Sequence, residues 1–239
     1  MSYHIDNGLE YEIDDNNTNA TLLGFASNSL AINHIPDMVI PDFVRGVPVT
    51  NIAVNAFEKV DELESVTIPS TLNEIGTCAF LGCQHLEKIT MSCPKAKKDA
   101  LKICSSAFAY CFSLNEVDIF CELEIESRAF YGCDKLRNIF GLIKKVEASA
   151  FRDCNRIHML NFSFDATVNF DAFYNSKIEN IRCLGDVAFS PNDIKTLIDE
   201  NTTLHCPSES KIAELAYCGV NVKCYGSAEL HKMFVDKSQ

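Results

Sequence analysis

An Ala-Phe dipeptide recurs seven times along the chain, and this recurrence constrains the fold more than any other feature. The phenylalanines stand at Phe57, Phe80, Phe108, Phe130, Phe151, Phe173 and Phe189, and their successive separations are 23, 28, 22, 21, 22 and 16 residues. An aliphatic residue precedes each phenylalanine by five positions. A period of about 20 to 50 residues indicates stacked units, each of which covers the apolar face of its neighbour.

The repeat continues after the phenylalanine with a cysteine, an aliphatic residue three positions later and another three later still. The cysteines are Cys83, Cys111, Cys133 and Cys154, and two further units carry Val60 or Ser176 instead. In LESVTI, residues 63–68, apolar and polar residues alternate, which predicts a β-strand with Val66 and Ile68 facing inward. Parallel strands of this kind, about 4.8 Å apart, would form one long sheet along one face of a solenoid.

The stretch LESVTIPSTLNEIGTCAFLGC, residues 63–83, resembles a unit of the BspA-like leucine-rich repeat family, including Pro69 and Gly76. Later units lose one or both of these residues, and the unit from Leu86 is lengthened by CPKAKKDALK. The resemblance covers roughly residues 5–225. It implies a leucine-rich repeat solenoid that is β-rich and right-handed, with a parallel sheet on one face, short helical or 3-10 turns, and capped ends.

The ends of a solenoid would expose a cross-section of the core, so atypical terminal segments are expected there. Residues 1–50 are predicted to form an N-terminal cap with a β-hairpin around DDNNTN, and residues 51–190 to hold about seven repeats. Residues 191–225 are predicted to form a C-terminal cap with a short helix at 208–217. Residues 226–239 are either a frayed tail or a weakly docking helix.

The charge balance excludes some classes of partner. The chain has 21 Lys and Arg against 33 Asp and Glu, a net charge of −12, which repels nucleic acid and anionic lipid surfaces. Its first residues are acidic where a secretory signal would be basic and then apolar, and no segment approaches the ~18 apolar residues of a membrane span. The sequence therefore predicts a cytoplasmic protein, with no nucleic-acid partner and no membrane insertion. Display at the cell surface by a route not visible in the sequence is the alternative.

Twelve cysteines raise the question of thiol or metal chemistry. The four repeat cysteines are predicted to be small buried hydrophobes with free thiols, because a linear ladder cannot surround a tetrahedral zinc ion. The other eight include no C-x-x-C pair, and His205-Cys206, Cys218 and Cys224 match no established ligand spacing. We therefore predict no catalytic residue, no metal and no cofactor, with a thiol-dependent enzyme or a metal protein as the alternative.

The outward residues of the predicted sheet are the remaining candidates for function. A mixed polar surface with an aromatic residue and a methionine near its centre is typical of protein-binding sites, although an ordinary solvated face has a similar composition. The predicted ligand-binding residues are Ser65, Thr67, Lys88, Thr90, Glu116, Asp118, Asn138, Phe140, Met159, Asn161, Asn180 and Arg182.

The sequence thus predicts a non-enzymatic module that recognises a protein or another extended ligand on its sheet. The family resemblance implies a role in adhesion to host or matrix proteins at the surface of bacteria or parasitic protists. An intracellular scaffold is the alternative within the same class.

Overall fold

The chain winds into a β-solenoid in which each described Ala-Phe unit occupies one turn. The computed structural model describes residues 1–27, 35–91, 100–169, 171–187, 202–208, 221–226 and 229. Within these residues the repeats form strands and turns, which confirms the predicted leucine-rich repeat solenoid.

One side of the solenoid carries a continuous parallel sheet, here called the front sheet. Each strand pairs in parallel with the strand of the next turn, as the alternating sequence predicts. The strands are β4 (Asp37–Val39), β7 (Ser65–Ile68), β9 (Lys88–Met91), β11 (Glu116–Asp118), β13 (Asn138–Ile139), β15 (Ile157–Val168), β16 (Ile178–Cys183), β17 (Thr203–Pro207) and β18 (Asn221–Tyr225).

A second parallel ladder, the back sheet, precedes the Ala-Phe corners and was not predicted. Its strands are β3 (Ala20–Phe25), β6 (Val47–Ile52), β8 (Glu74–Ile75), β10 (Leu101–Ile103), β12 (Glu122–Ile125) and β14 (Leu142–Val146), followed by the second half of β15. Most of these strands are only two to five residues long. Such segments contain too few residues for a clear alternating pattern, so these strands are difficult to predict from the sequence.

Antiparallel strands close the N-terminal end. The hairpin predicted around residues 14–19 joins β2 (Leu9–Ile13) to β3, and β1 (Ser2–Asp6) pairs with the outer edge of β2. A second hairpin joins β5 (Phe43–Val44) to β6 through Arg45 and Gly46, both of which have positive φ. This pair of left-handed residues is the geometry of a tight type I′ turn.

The corner that contains Ala-Phe alternates between right-handed and left-handed backbone in every described unit. The residues two positions before and two positions after the phenylalanine have φ between 54° and 71°. They are Asn55, Cys78, Ser106, Arg128, Ser149 and Asp171 before it, and Lys59, Gly82, Tyr110, Gly132, Asp153 and Asn175 after it.

This alternation directs backbone N–H groups toward the next turn. In the third unit the amides of Ser106, Phe108 and Tyr110 donate to carbonyls of the fourth unit at 2.7–3.0 Å. The intervening amides, such as those of Ala107 and Ala109, instead donate three residues back within their own corner. The corner is therefore a third inter-turn ladder, in which each of these backbone amides has an acceptor although the segment is neither helix nor strand.

The phenylalanines of the corners form a continuous stack through the core. Rings of successive turns, from Phe57 to Phe173, lie 5.2–5.4 Å apart with interplanar angles of 2–15°. Phe25 meets the first ring edge-on at 5.1 Å and so covers the N-terminal end of the stack. Each ring is buried, and each from Phe57 to Phe151 contacts a ring on both sides, an arrangement that adds to the stabilisation from burial.

The repeat cysteines have a role beyond filling space. The Sγ atoms of Cys83, Cys111, Cys133 and Cys154 each lie 3.1 Å from the carbonyl oxygen of the phenylalanine in the preceding turn. Ser176, which replaces cysteine in the sixth unit, donates from Oγ to the equivalent carbonyl of Phe151 at 2.5 Å. Five of the six described units therefore place a small donor at this position, whereas the first unit has Val60, and the prediction of a purely apolar role was incomplete. The free thiols predicted for the four repeat cysteines are confirmed, and the six other described cysteines are free as well.

Several predicted segments lie outside the described residues. These are the seventh Ala-Phe pair at 188–189, most of the lysine-bearing insertion at 93–102, the helix predicted at 208–217, and nearly all of the tail at 226–239.

The phenylalanine stack provides a direct test of the repeat register. We expect Phe108→Ala to lower the free energy of unfolding by about 3 to 5 kcal/mol, because it leaves a cavity between Phe80 and Phe130. Phe112→Ala is the matched control, since that ring is 45% exposed, and we expect a loss below about 1 kcal/mol. Urea unfolding of the full chain measures both values, and similar losses would contradict the inward assignment of Phe108.

Candidate functional site

The outward side of the front sheet presents two parallel rows of side chains, here called the front face. Residues in one row are about 4.8 Å apart because each belongs to the next strand of a parallel ladder. The first row is Asp37, Ser65, Lys88, Glu116, Asn138, Met159, Asn180, Thr203 and Asn221. The second row is Val39, Thr67, Thr90, Asp118, Phe140, Asn161, Arg182, His205 and Lys223.

All twelve predicted ligand-binding residues lie in these two rows, and eleven of them are partly exposed. The expectation that Asn161 faces solvent is wrong, because this side chain is only 6% exposed. Strand β13 ends at Ile139, and the Asn161 amide donates to the carbonyl oxygen of Ile139 at 3.2 Å. The side chain thus compensates a backbone acceptor where the ladder is interrupted.

At the N-terminal end of the front face, polar side chains bind one another across neighbouring strands. The Ser65 hydroxyl donates to Asp37 at 2.5 Å, and the Thr67 and Thr90 hydroxyls are 3.1 Å apart. The Lys88 ammonium lies 2.7 Å from the Glu116 carboxylate, and both groups are partly exposed. An exposed ion pair of this kind contributes little stability, so its main effect is to fix the side-chain positions.

The centre of the face combines an aromatic ring with acceptors that are not hydrogen-bonded. Phe140 stands between Asp118 and Asn161 in the second row, and each of these two residues has a buried Oδ1 atom. Within the part of the chain that the structure describes, neither oxygen has a hydrogen-bond partner. Burial raises the pKa of Asp118, while the nearby Lys88 partly opposes this shift. A buried acceptor without a donor is costly, so the polar groups beside Phe140 are incompletely satisfied.

The C-terminal part of the face contains a polar network around His205. Its Nδ1 atom lies 3.1 Å from the Tyr225 hydroxyl, and its Nε2 atom lies 3.2 Å from Asn180 Oδ1. The Tyr225 ring stacks on the imidazole at 5.6 Å. When the imidazole is neutral with its proton on Nε2, Nε2 donates to the Asn180 amide oxygen and Nδ1 accepts from the Tyr225 hydroxyl. Burial, together with the positive charges of Arg182 and Lys223, lowers the pKa of His205 to about 4.

Sequence reasoning missed both ends of the front face. The predicted rows ran only from Ser65 to Arg182, whereas the structure adds strand β4 before them and strands β17 and β18 after them. The alternation of TLHCP and NVKCY could have indicated these two strands, because Leu204 and Val222 occupy the same inward position as the aliphatic residues of the repeats. Both segments lie within the range that the sequence assigned to the C-terminal cap, so their outward residues were not added to the predicted rows.

Charge is divided along the front face and its adjoining edge. The first part carries five carboxylates and one ammonium, contributed by Asp37, Glu64, Glu87, Glu116, Asp118 and Lys88. The later part carries three cations and one carboxylate, contributed by Arg137, Arg182, Lys223 and Glu179. The exposed carboxylate of Glu179 is already bound to His158 at 2.7 Å. The face is therefore acidic at one end, apolar in the middle and basic at the other end.

The four repeat cysteines and Cys104 are poorly suited to thiol chemistry. Burial raises the pKa of Cys83 and Cys104 to about 12, and it raises the pKa of Cys111, Cys133 and Cys154 as well. A protonated thiol is neither a strong nucleophile nor a metal ligand. Among the residues with described positions, no three His, Cys, Asp or Glu side chains are grouped to hold a metal ion. In the same part of the chain, no helix is both long enough and apolar enough to cross a membrane.

Comparison with known proteins supports the repeat architecture. A family model described as the BspA type leucine rich repeat region matches residues 35–158 and 95–196, with six copies. A search of curated proteins gives no match.

Solved structures show the same fold at low sequence identity. The T. pallidum leucine-rich repeat protein is 17% identical with a TM-score of 0.55, and the match covers 94% of this chain and 100% of that chain. A leucine-rich cell surface protein of Faecalibacterium prausnitzii is 15% identical with a TM-score of 0.41, covering 97% of both chains. The first likeness supports the fold alone, and the TM-score of the second is too low to support an argument.

His205 should make the stability of the protein depend on pH. Its pKa is about 4 in the folded chain and about 6.5 in the unfolded chain, so only the unfolded chain gains a proton between these values. Stability that is present above pH 6.5 is therefore lost as the pH falls toward 4. We expect His205→Gln to remove about 2 to 3 kcal/mol of the difference in unfolding free energy between pH 7 and pH 4.5.

Urea unfolding at both pH values measures this effect. His85→Gln is the control, because His85 is exposed and contacts only the backbone carbonyl of Asp61 among its recorded hydrogen bonds. An unchanged pH dependence in His205→Gln would show that the imidazole is protonated alike in the folded and unfolded chains.

Proposed function

The chain belongs to the BspA-type leucine-rich repeat family, and from this premise we propose that it is a non-enzymatic module that binds a protein partner through its front face. Repeats of this family are associated with protein interaction. Five buried cysteines, Cys83, Cys104, Cys111, Cys133 and Cys154, have pKa values raised by burial, which also favours a binding role over thiol chemistry.

The observation that carries this proposal is the composition of the centre of the face. Phe140 directly follows strand β13, Met159 lies on the adjacent strand β15, and both side chains are partly exposed. Aromatic and methionine side chains supply contact area, and the partly exposed polar residues around them can fix the register of a ligand. A polar strand face that only contacted water would gain nothing from this arrangement.

The division of charge supports a particular kind of partner. A segment with basic residues near one end and acidic residues near the other would match the acidic strands β4 to β11 and the basic strands β13 to β18. Such complementary charge accelerates association and fixes the direction of binding more than it raises affinity. The partner is therefore proposed to be a protein whose contact surface is itself divided in charge.

The apolar centre is tested by a double substitution. We expect Phe140→Asp with Met159→Asp to lower partner affinity by at least about 30-fold, because the anchor side chains of an interface dominate its binding energy. Thermal stability should change little, since both side chains are partly exposed. The partner is captured from the native cell on the wild-type chain and then titrated against both proteins.

A matched control distinguishes this surface from general surface hydrophobicity. Phe120 and Phe164 are also exposed aromatic residues but lie outside the two rows. Replacing both with Asp should leave affinity unchanged. If this control pair weakens binding as strongly as the front-face pair, another surface carries the contact.

The charge division is tested by reversing one charge at each end. We expect Glu87→Lys with Arg137→Glu to slow association with the captured partner by about tenfold at low salt, and by much less at 0.5 M salt. Both residues are exposed, and the pair keeps the net charge. The control pair Asp6→Lys with Lys144→Glu makes the same exchange away from the front face. Equal association rates for the two double variants would contradict a charge-matched partner.

The cellular location of the protein stays a prediction. Cytoplasmic residence and surface display would place different partners within reach of the front face. Fractionation of the native cell, followed by immunoblotting of the cytosolic and surface fractions, distinguishes the two.

A further inference from the structure

A cleft on the corner side of the solenoid lies away from the two rows of the front face. It encloses about 400 Å³, within the usual range for a ligand site, and its lining includes Leu81, Ser106, Tyr110, Arg128, Tyr131 and Arg152. We refer to it as the corner cleft. It crosses the second to fifth repeats, and from the fourth repeat onward the corner sequence departs from that of the earlier units.

The departure concerns the residue directly after the core phenylalanine. The first three units have Glu58, Leu81 and Ala109 there, whereas the next three have Tyr131, Arg152 and Tyr174. The Arg152 guanidinium carbon lies 4.6 Å from the Tyr174 ring centroid and 6.0 Å from that of Tyr131. This cation–π arrangement holds the arginine side chain in one position. The core does not require it, because these side chains lie outside the phenylalanine stack.

Tyr110 is a second departure, and it is strained. It has a φ of 61°, at a corner position occupied in the other units by Lys, Gly, Asp or Asn. Its ring crosses Gly132, where an added Cβ would lie 3.2 Å from Tyr110 Cδ1, and it meets the Tyr131 ring edge-on at 5.2 Å. A bulky residue in the left-handed region is unfavourable, and the ring is 45% exposed, so burial does not compensate the strain. Retained strain of this kind is characteristic of functional sites.

The charge of the cleft indicates the chemistry of its ligand. Two arginines line it, and its lining includes no carboxylate, although the whole chain has a net charge of −12. Arg152 Nε is buried and has no hydrogen-bond acceptor within the described residues. The nearest carboxylate oxygen, on Asp153, is 3.7 Å away, and this side chain already accepts a hydrogen bond from Asn175 at 2.6 Å. The Arg152 side chain as a whole is 40% exposed, so a carboxylate from outside the chain can pair with the accessible part of its guanidinium.

We propose that the corner cleft binds an acidic segment of a second protein. An aspartate or glutamate side chain of that segment pairs with Arg128 and Arg152, and a neighbouring apolar side chain packs on Tyr110 and Tyr131. The aromatic row from Tyr110 to Tyr174 spans three steps between turns, roughly 14 Å, which equals about four residues of extended peptide. The cleft and the front face bind separate ligands.

A random heptapeptide library displayed on phage tests the proposal without knowledge of the natural partner. The library is first depleted on the variant Arg128→Gln with Arg152→Gln and then selected on the full wild-type chain. We expect the surviving peptides to be enriched in Asp and Glu beside aromatic or aliphatic residues. They should bind the single variant Arg152→Gln about tenfold more weakly than the wild type. Binding should be unchanged in Arg137→Gln, which removes an arginine elsewhere, and in the Phe140→Asp, Met159→Asp double variant.

Tyr110→Gly separates a binding role from a packing role. Glycine tolerates positive φ, so we expect the midpoint of thermal unfolding to stay equal or to rise while peptide affinity falls. The proposal is overturned if no peptides survive depletion, if the survivors lack acidic residues, or if Tyr110→Gly lowers thermal stability without changing affinity. Binding of uronic-acid oligosaccharides in place of peptides, lost in Arg152→Gln, would overturn it in favour of a sugar ligand. None of these outcomes depends on the front face.

Discussion

The structure depends on satisfying backbone amides at a corner that is neither helix nor sheet. Three amides of each of the first five Ala-Phe corners donate to the next turn, and the amides between them donate within the corner. This requires a left-handed residue on each side of the phenylalanine. Once the corner is fixed, the phenylalanine points inward at the same height in each turn, and the stack and the two sheets follow in register. A shift of one residue at the corner would misalign all three ladders together.

The recurrence of residue types predicted the inward-facing positions well. The phenylalanine, the cysteine and the aliphatic residues recur because their surroundings recur, so a pattern in the sequence translates directly into burial. The left-handed positions could not be predicted in this way, because residues as different as Cys78, Arg128 and Tyr110 occupy them. Sequence patterns report side chains, whereas those positions are defined by backbone hydrogen bonds.

The predicted binding surface was less complete than the predicted core. Alternation correctly assigned the outward positions, but it could not reveal that Asn161 turns toward the free carbonyl group of Ile139. That contact arises from a local end of strand β13, which is an irregularity rather than a repeat. The corner cleft was overlooked because it is formed by residues that break the pattern. A sequence repeat therefore predicts the scaffold that its recurring residues form. It does not predict sites formed by residues that depart from the repeat.

The column of repeat cysteines gives the molecule a set of internal reporters. Each thiol is fully buried and bonded to the turn before it, so a reagent reaches it only when those two turns separate. The alkylation rates of Cys83, Cys111, Cys133 and Cys154 thus report the opening free energy at four successive positions along the axis. In a molecule whose turns contact only their neighbours, these rates would show whether the solenoid opens from one end, from both ends or from the middle.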